Sequence, residues 1–500
     1  MSSTDVNNLR KAGQLKEAFE LAKSNLESNP TDIWNKRAIS WVYYDYLKQA
    51  AEETKFDKFI HILQTMAQVQ LPIEEEMLFD TLVWPINKIV YSLLKSKQWD
   101  NAKGDQLFAV MQQFNYPRHV ENFSVLIKVL HKVFKGTYRY LDVIDWCGLE
   151  SLKIKDFEAE IFEGRSIMPL AEQIYIGYAK HLTEGSIVDP NSNHRVYNIE
   201  KIMCFLPKLE KVIEQYPSYV FTQYFHVKLQ LILGEGDILN SFIPFAKLKK
   251  NEFWTWQLLA EIYANDKDIV FSCYCKALSL RSKDEFLVRI RQQFAQLLIE
   301  RECYAEAKTE IENIYKTKQL SGNKVPYIVE MWMNLPWYNS IEVKNSNYSF
   351  YTQYKAKAEE IIYSSNPEVI IAVEFVNTEK RIVNFIIDQN RTGFFKYGKE
   401  MSNPKIGDVY AVRFDDDVQD KRYRVLSIQR VEQEKSVAVK LGQGQVRIAE
   451  AGFGFIDDVF VDKNFLEKNN IIHNQQVTYK AILSFNKKKS QWGWRVFWLK

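Results

Sequence analysis

The apolar residues of this chain change their period at one place. From the start to about Ser364 they recur every three or four residues, as on a helix. After Asn366-Pro367 they fall into short β-branched and aromatic runs, EVIIAVEFV, RIVNFII, GDVYAVRF and YRVLSIQRV. Helices and strands bury apolar side chains with different repeats, so one pattern cannot serve both. The switch therefore separates a helical part from a β part. At 500 residues the chain exceeds one ordinary core, and about two to four domains are expected.

The helical part contains a repeat. GQLKEAFELAKSNLESNP, at 13–30, resembles the second helix of a tetratricopeptide repeat, with Ala18 and Pro30 at that family's positions. Farther on, Trp256, Leu259, Ala260 and Tyr263 take the first-helix spacing, and Tyr274 and Ala277 fit the second helix. Ala295 follows Ala260 by close to the 34-residue period, and Ala307 occupies the next small-residue position. Small residues are needed where paired helices cross closely, and aromatic residues fill the wedge between pairs. One pair cannot bury its own apolar stripe, so pairs stack. Segments such as FDKFIHILQTMAQV and NFSVLIKVLHKVF continue the amphipathic pattern, and the region between about Lys48 and Lys250 reads as an irregular α-solenoid. Its concave face would suit a protein partner. In 321–348, Pro336 is expected to stop a helix Met331–Leu335, a Trp-rich stretch to dock domains, and a last helix to run from about Tyr348 to Tyr363.

Composition excludes several classes. Apolar residues make up 46% and charged residues 26%, both globular values. The polar start MSSTDVNNLRKAG has no signal-peptide core, and no apolar run approaches membrane-spanning length, so a cytoplasmic protein with no membrane contact is expected. Cys147, Cys204, Cys273, Cys275 and Cys303 form no metal-ligand spacing and read as reduced thiols. The net charge is only +3. It is unevenly spread: residues 366–500 carry 22 Lys and Arg against 17 Asp and Glu, a mild bias that suits a polyanion.

The most informative stretch is AGFGFIDDVFVD, at 451–462. Strand alternation puts Phe453 and Phe455 on one face and Ile456 on the other; Phe460 and Asp462 share a face opposite Val459 and Val461. A small barrel can use the aliphatic side as core. The aromatic side then stands outside, and Gly452 and Gly454 are expected to let a flat base approach. This stretch resembles the cold-shock domain, a five-stranded OB-type barrel whose two ribonucleoprotein motifs read K-G-F-G-F-I and V-F-V-H. GQVRIAE, QVTYKAILSF and WGWRVFWLK supply flanking strands, with GQGQ at 442–445 read as a turn. Ala451 and Asp462 depart from the motifs, removing one phosphate contact and one stacking platform. The resemblance implies base stacking on Phe453, Phe455 and Phe460. Trp492 and Trp494 would extend the platform, and Lys487, Lys488 and Arg495 are the nearest cations. The alternative is that these aromatic residues pack against another domain.

The runs in 368–435 suggest a second, more degenerate barrel, in which TGFFKYG echoes GFGFI through Phe394, Phe395, Lys396 and Tyr397. Asp415-Asp416-Asp417 reads as a solvated turn rather than a metal site. The fold class is therefore multidomain, α then β: a tetratricopeptide-like α-solenoid over 1–320, a linker and docking helix over 321–365, a degenerate OB-type barrel over 366–436 and a cold-shock-like OB barrel over 437–500. Helical repeats followed by tandem barrels ending in GFGFI-x-DVFV and KKx-x-WGW are similar to proteins of the bacterial TOTE conflict systems. That resemblance implies a nucleic-acid-binding component of a defence or mobile-element system.

No nucleotide loop, nucleophile elbow or zinc-protease motif is present, and the seven histidines are scattered. No enzyme activity, metal or cofactor is expected. Two functions stay open. One is an adaptor that binds single-stranded nucleic acid, RNA ahead of DNA, and recruits a protein on its helices. The other is a scaffold whose barrels bind protein.

Overall fold

The computed structural model describes residues 3–189, 194–234, 236–398, 401, 403–415, 421–486 and 490–500. The chain forms two compact units, Met1–Ile238 and Leu239–Lys500. The change of period at Asn366-Pro367 thus falls inside the second unit rather than between the two.

The first unit is built of helices from Ser3–Lys11 to Val220–Leu233. Capping sets their starts: the Asp32 carboxylate accepts from Asn35 N at 3.0 Å, and Asp100 accepts from Lys103 N at 2.9 Å. Leu63, Leu82, Ile86, Phe108, Phe123 and Leu130 are among the side chains of one buried core. The helical reading of this part needs one correction. Two hairpins interrupt it, β1 (Glu160–Phe162) with β2 (Arg165–Ile167), and β3 (Ser186–Asp189) with β4 (His194–Val196). At the first, Glu163 and Gly164 both take positive φ, the two-residue turn that matches strand twist.

In the second unit, two helical hairpins come first: Phe253–Ile262 with Lys267–Ser279, and Asp284–Glu300 with Tyr304–Leu320. Trp256, Leu259, Ala260, Ala277, Ala295 and Ala307 are all buried in them. Glu310, on the second helix of the second hairpin, is fully buried. It accepts from Arg291 Nη1 and Asn347 Nδ2, each at 2.6 Å, and from the Tyr351 hydroxyl. Trp332 and Tyr338 pack on Ala295, Ile311 and Ile314. The helix at this point is Tyr327–Met333, not Met331–Leu335. Pro336 opens the next helix, Pro336–Ser340, at the position where its missing N–H costs nothing. The expected single helix 348–363 is two, Tyr348–Tyr354 and Ala356–Tyr363, divided at Lys355. Asn366 is buried and donates to Phe414 O at 2.9 Å, while Arg413 Nη1 donates to Asn366 O at 2.8 Å. These bonds fasten the end of the helices to the first sheet.

That sheet comprises β5 (Glu368–Asn377), β6 (Ile382–Ile386), β7 (Thr392–Lys396), β8 (Val409–Phe414) and β9 (Val425–Val431), in the order β7-β6-β5-β8-β9. A parallel bridge between Phe394 and Arg422 joins β7 to the segment just before β9 and closes the sheet. The second sheet comprises β10 (Val439–Gln445), β11 (Arg447–Ile448), β12 (Gly454–Ile456), β13 (Val459–Val461), β14 (Gln476–Asn486) and β15 (Gln491–Leu499), in the order β10-β14-β15-β13-β12-β11. Only Val446 separates β10 from β11, so the first strand pairs with β14 by one half and with β12 by the other. Both sheets are therefore closed barrels in which the third and fifth strands run parallel, the OB topology.

The stretch 442–445 is strand, not turn. Gly442 and Gly444 point inward, where a Cβ would lie 2.6 Å from the Tyr479 hydroxyl and 2.6 Å from Ile456 Cγ2 respectively. Glycine is required there because large side chains of the two neighbouring strands, Tyr479 on β14 and Ile456 on β12, fill the space over it. The two barrels also pack on each other through Ala372, Ile386, Val409, Ala438, Ile482 and Leu483. Ser484 Oγ donates to Glu374 at 2.9 Å across the same contact. Among the described residues no helix is long and apolar enough to cross a membrane.

Candidate nucleic-acid interface

In the second barrel the two ribonucleoprotein-like motifs form adjacent strands. Asp457 and Asp458 make the turn, with Asp457 at φ 51°, and Gly454, Phe455 and Ile456 pair with Val461, Phe460 and Val459. Ile456, Val459 and Val461 are fully buried with Val446, Val477 and Ala481. Phe455 lies on the opposite side, 37% exposed, and Phe453 and Phe460 are half-buried. The three rings form one cluster. Their centroids are 5.8 Å apart for Phe453–Phe455, 5.8 Å for Phe453–Phe460 and 5.7 Å for Phe455–Phe460. Phe455 makes edge-to-face contacts with Phe453 and Phe460, which meet each other at a tilt of 41°.

Register extends this cluster into a row. Arg447 pairs with Phe455, Phe455 with Phe460, and Phe460 with Arg495 in the parallel ladder. Cross-strand partners share a face, so the outer wall reads Arg447–Phe455–Phe460–Arg495 over four strands. Two rings are flanked by two guanidiniums, which suits bases between phosphates. Arg495 was expected in this site. Arg447 was not, although it alternates with the inward Val446 and Ile448 and so could have been found.

Other expected members fall elsewhere. Trp494 pairs with the buried Val459, so it points inward, against both the barrel core and the contact between the barrels. Trp492 shares its face and packs there with Phe485, at 5.3 Å. Neither extends the platform. Alternation along β15 explains both: Arg495 faces out because Trp494 faces in. Lys487 and Lys488 lie outside the described residues.

Gly454 is not an opening for a base, because its missing Cβ faces the core, 3.1 Å from Leu466 Cδ1. Gly452 turns the chain at φ 88°, with the Lys463 stem against it. Asp462 does not place a free carboxylate on the aromatic face. It caps the helix Lys463–Lys468, accepting from Asn464 N at 2.9 Å. At the hairpin tip Lys440 donates to Asp458 at 2.7 Å, which lowers the Asp458 pKa and raises that of Lys440.

In the first barrel the echo of the motif divides. Phe395 is core, packed on Phe385 at 5.8 Å, whereas Phe394 and Lys396 occupy the other face of β7. Tyr397 packs at the edge of that core. Asp415 pairs with Arg424 at 3.7 Å, and Asp416 and Asp417 lie outside the described residues. Among the described residues no three His, Cys, Asp or Glu side chains converge as a metal site requires. Cys147, Cys273 and Cys275 are buried free thiols, and burial pushes that of Cys147 up to about 12.

The fold and this row define a class: a helical protein ending in tandem OB-type barrels, the second with an aromatic ribonucleoprotein-like face. Comparison with known families is specific on this point. Residues 363–426 match S1/CSD-like domain 1 of the TOTE conflict systems, and residues 440–499 match S1/CSD-like domain 2 of the same systems. The C-terminal part of the chain is thus similar to two successive S1/CSD-like domains of those systems. Residues 220–358 match a domain of unknown function, DUF7017. No curated protein matches the chain.

Proposed function

We propose that this protein binds single-stranded nucleic acid, RNA ahead of DNA, through the outer face of its second barrel, as a cytoplasmic adaptor in a conflict system. The observation that carries the reading is the row Arg447–Phe455–Phe460–Arg495 with Phe453 beside it. Each stacked base contributes about 1–3 kcal/mol and tolerates sequence change, because every base has a π-face. The two arginines supply phosphate contacts at either end. The helical region recruits a protein partner, and the chain carries out no covalent chemistry of its own.

The test is fluorescence anisotropy of the full chain with labelled single-stranded RNA, single-stranded DNA and duplex, each at two salt concentrations. Single strands should bind more tightly than duplex, RNA more tightly than DNA, with affinity falling as salt rises. Absence of binding at low salt, together with nuclease-resistant capture of a protein by the barrels, would instead establish a protein scaffold.

A further inference from the structure

The second unit holds a cleft of about 640 Å³ between its helices and the first barrel. Lys276 and Lys355 come from the helical side, Lys396, Arg422 and Arg424 from the barrel, and Lys250 from the loop before the first hairpin. Against these six cations the lining has one acid among the described residues, Glu359. Glu359 is already engaged: it accepts from Lys276, and Lys355 Nζ is 3.5 Å away. Arg424 pairs with Asp415 at 3.7 Å, and Lys250 donates to the carbonyls of Val425 and Leu426. Lys396 and Arg422 stand exposed at the mouth. Concave walls of one sign focus the field, so the cleft concentrates anions.

The barrel side of the cleft is the counterpart of the aromatic row. In the second barrel the seam between third and fifth strands places Phe460 beside Arg495. In the first barrel the same seam places Phe394 beside Arg422, with Lys396 two residues along the same strand face. An aromatic–arginine pair thus recurs at equivalent positions. Here the arginine lines the lysine-rich cleft, and the ring has Asn384 rather than a second phenylalanine beside it.

We propose that this cleft is a phosphate-binding site, distinct from the aromatic face, with Lys396 and Arg422 as its entry contacts and Lys355 farther in. Two sources present the same chemistry: the phosphodiesters of a nucleic-acid strand and the phosphates of a free nucleotide or pyrophosphate.

The experiment uses the full chain with the double substitution Lys396→Gln and Arg422→Gln, both at exposed positions, and a melting curve to confirm the fold. Binding of a fluorescein-labelled oligouridylate is measured from low to high salt, and binding of inorganic pyrophosphate by calorimetry. If the cleft holds strand phosphates, loss of two contacts lowers the slope of log K against log salt by about 1.4 and weakens binding on the order of 25-fold at 0.1 M salt. If it holds a free phosphate compound, pyrophosphate binds the native chain and not the variant, while the oligonucleotide slope is unchanged. Lys396→Arg with Arg422 unchanged keeps both charges and should retain the native slope. The proposal fails if the double variant matches the native chain in both measurements. Phe455→Ala, run alongside, separates this site from the other: it weakens oligonucleotide binding without changing the slope, and leaves pyrophosphate binding intact.

Discussion

Adjacent residues Phe455 and Ile456 provide the sharpest test of the aromatic face. Ile456 is fully buried, and its Cγ2 occupies the space that a Cβ on Gly444 would need. Ile456→Ala removes packed methyl groups and leaves a cavity, at about 2–5 kcal/mol. Phe455 is 37% exposed and touches mainly Phe453 and Phe460. Ring pairs contribute about 0.5–1.5 kcal/mol each when buried, and less where solvent reaches them, so Phe455→Ala should cost about 1 kcal/mol of stability. Its effect on binding should be larger. Loss of one stacked base at about 1–3 kcal/mol raises Kd on the order of 5- to 150-fold, regardless of sequence. Urea melts give the first quantity, and anisotropy with a labelled single strand gives the second. If Phe455→Ala destabilises the barrel as much as Ile456→Ala, or binds as the native chain does, Phe455 is not a stacking platform.

Further outcomes follow from the same geometry. Gly444→Ala should cost about 1–3 kcal/mol in urea melts, because the new Cβ lies 2.6 Å from Ile456. Gly407→Ala combines a positive φ of 83° with a Cβ 2.1 Å from the Phe497 ring, so it should loosen the contact between the barrels, read as faster proteolysis between them. Glu310→Ala leaves Arg291 buried without its main partner and should cost about 3–5 kcal/mol. His131, buried against Tyr140, has its pKa lowered to about 4 by desolvation, with Lys135 adding to the shift. The unfolded chain therefore takes up a proton first as pH falls below about 6.5. The first unit should lose on the order of 3 kcal/mol between there and about pH 4, and His131→Phe should flatten that dependence.

The sequence discloses those parts of the fold that local alternation controls. Every strand of the first barrel stands where β-branched and aromatic runs place it, and Phe455 and Ile456 face opposite ways as a two-residue period requires. It conceals what depends on a neighbouring strand distant in the sequence. Gly442-Gln443-Gly444-Gln445 has the composition of a turn, and only its pairing with residues 476–479, more than thirty residues away, makes it a strand. Trp492 and Trp494 look like stacking residues beside a KKK run. Their direction is set by a parallel partner, Val459, more than thirty residues away, and no local pattern encodes that pairing. The hairpin at Glu163-Gly164 carries no Asn-Gly or Asp-Gly signal, and its positive φ at Glu163 shows only in the structure.

The register of the two barrels allows their outer walls to be set side by side. In the second, the transverse row is Arg447–Phe455–Phe460–Arg495. In the first, it is Phe375–Asn384–Phe394–Arg422. Both end in arginine at the seam, next to an aromatic residue on the third strand. They differ on the second strand, where Asn384 stands in place of Phe455, and on the first, where Phe375, 53% exposed, stands in place of Arg447. Substitution of the central ring by an amide removes continuous stacking and leaves one ring beside the arginine, at the mouth of the basic cleft. The same four-strand scaffold presents adjacent rings in one barrel and separated rings with a concentration of positive charge in the other. On the proposed function, base stacking and phosphate neutralisation are divided between the two barrels, because a residue on the outer wall can change without disturbing the core behind it.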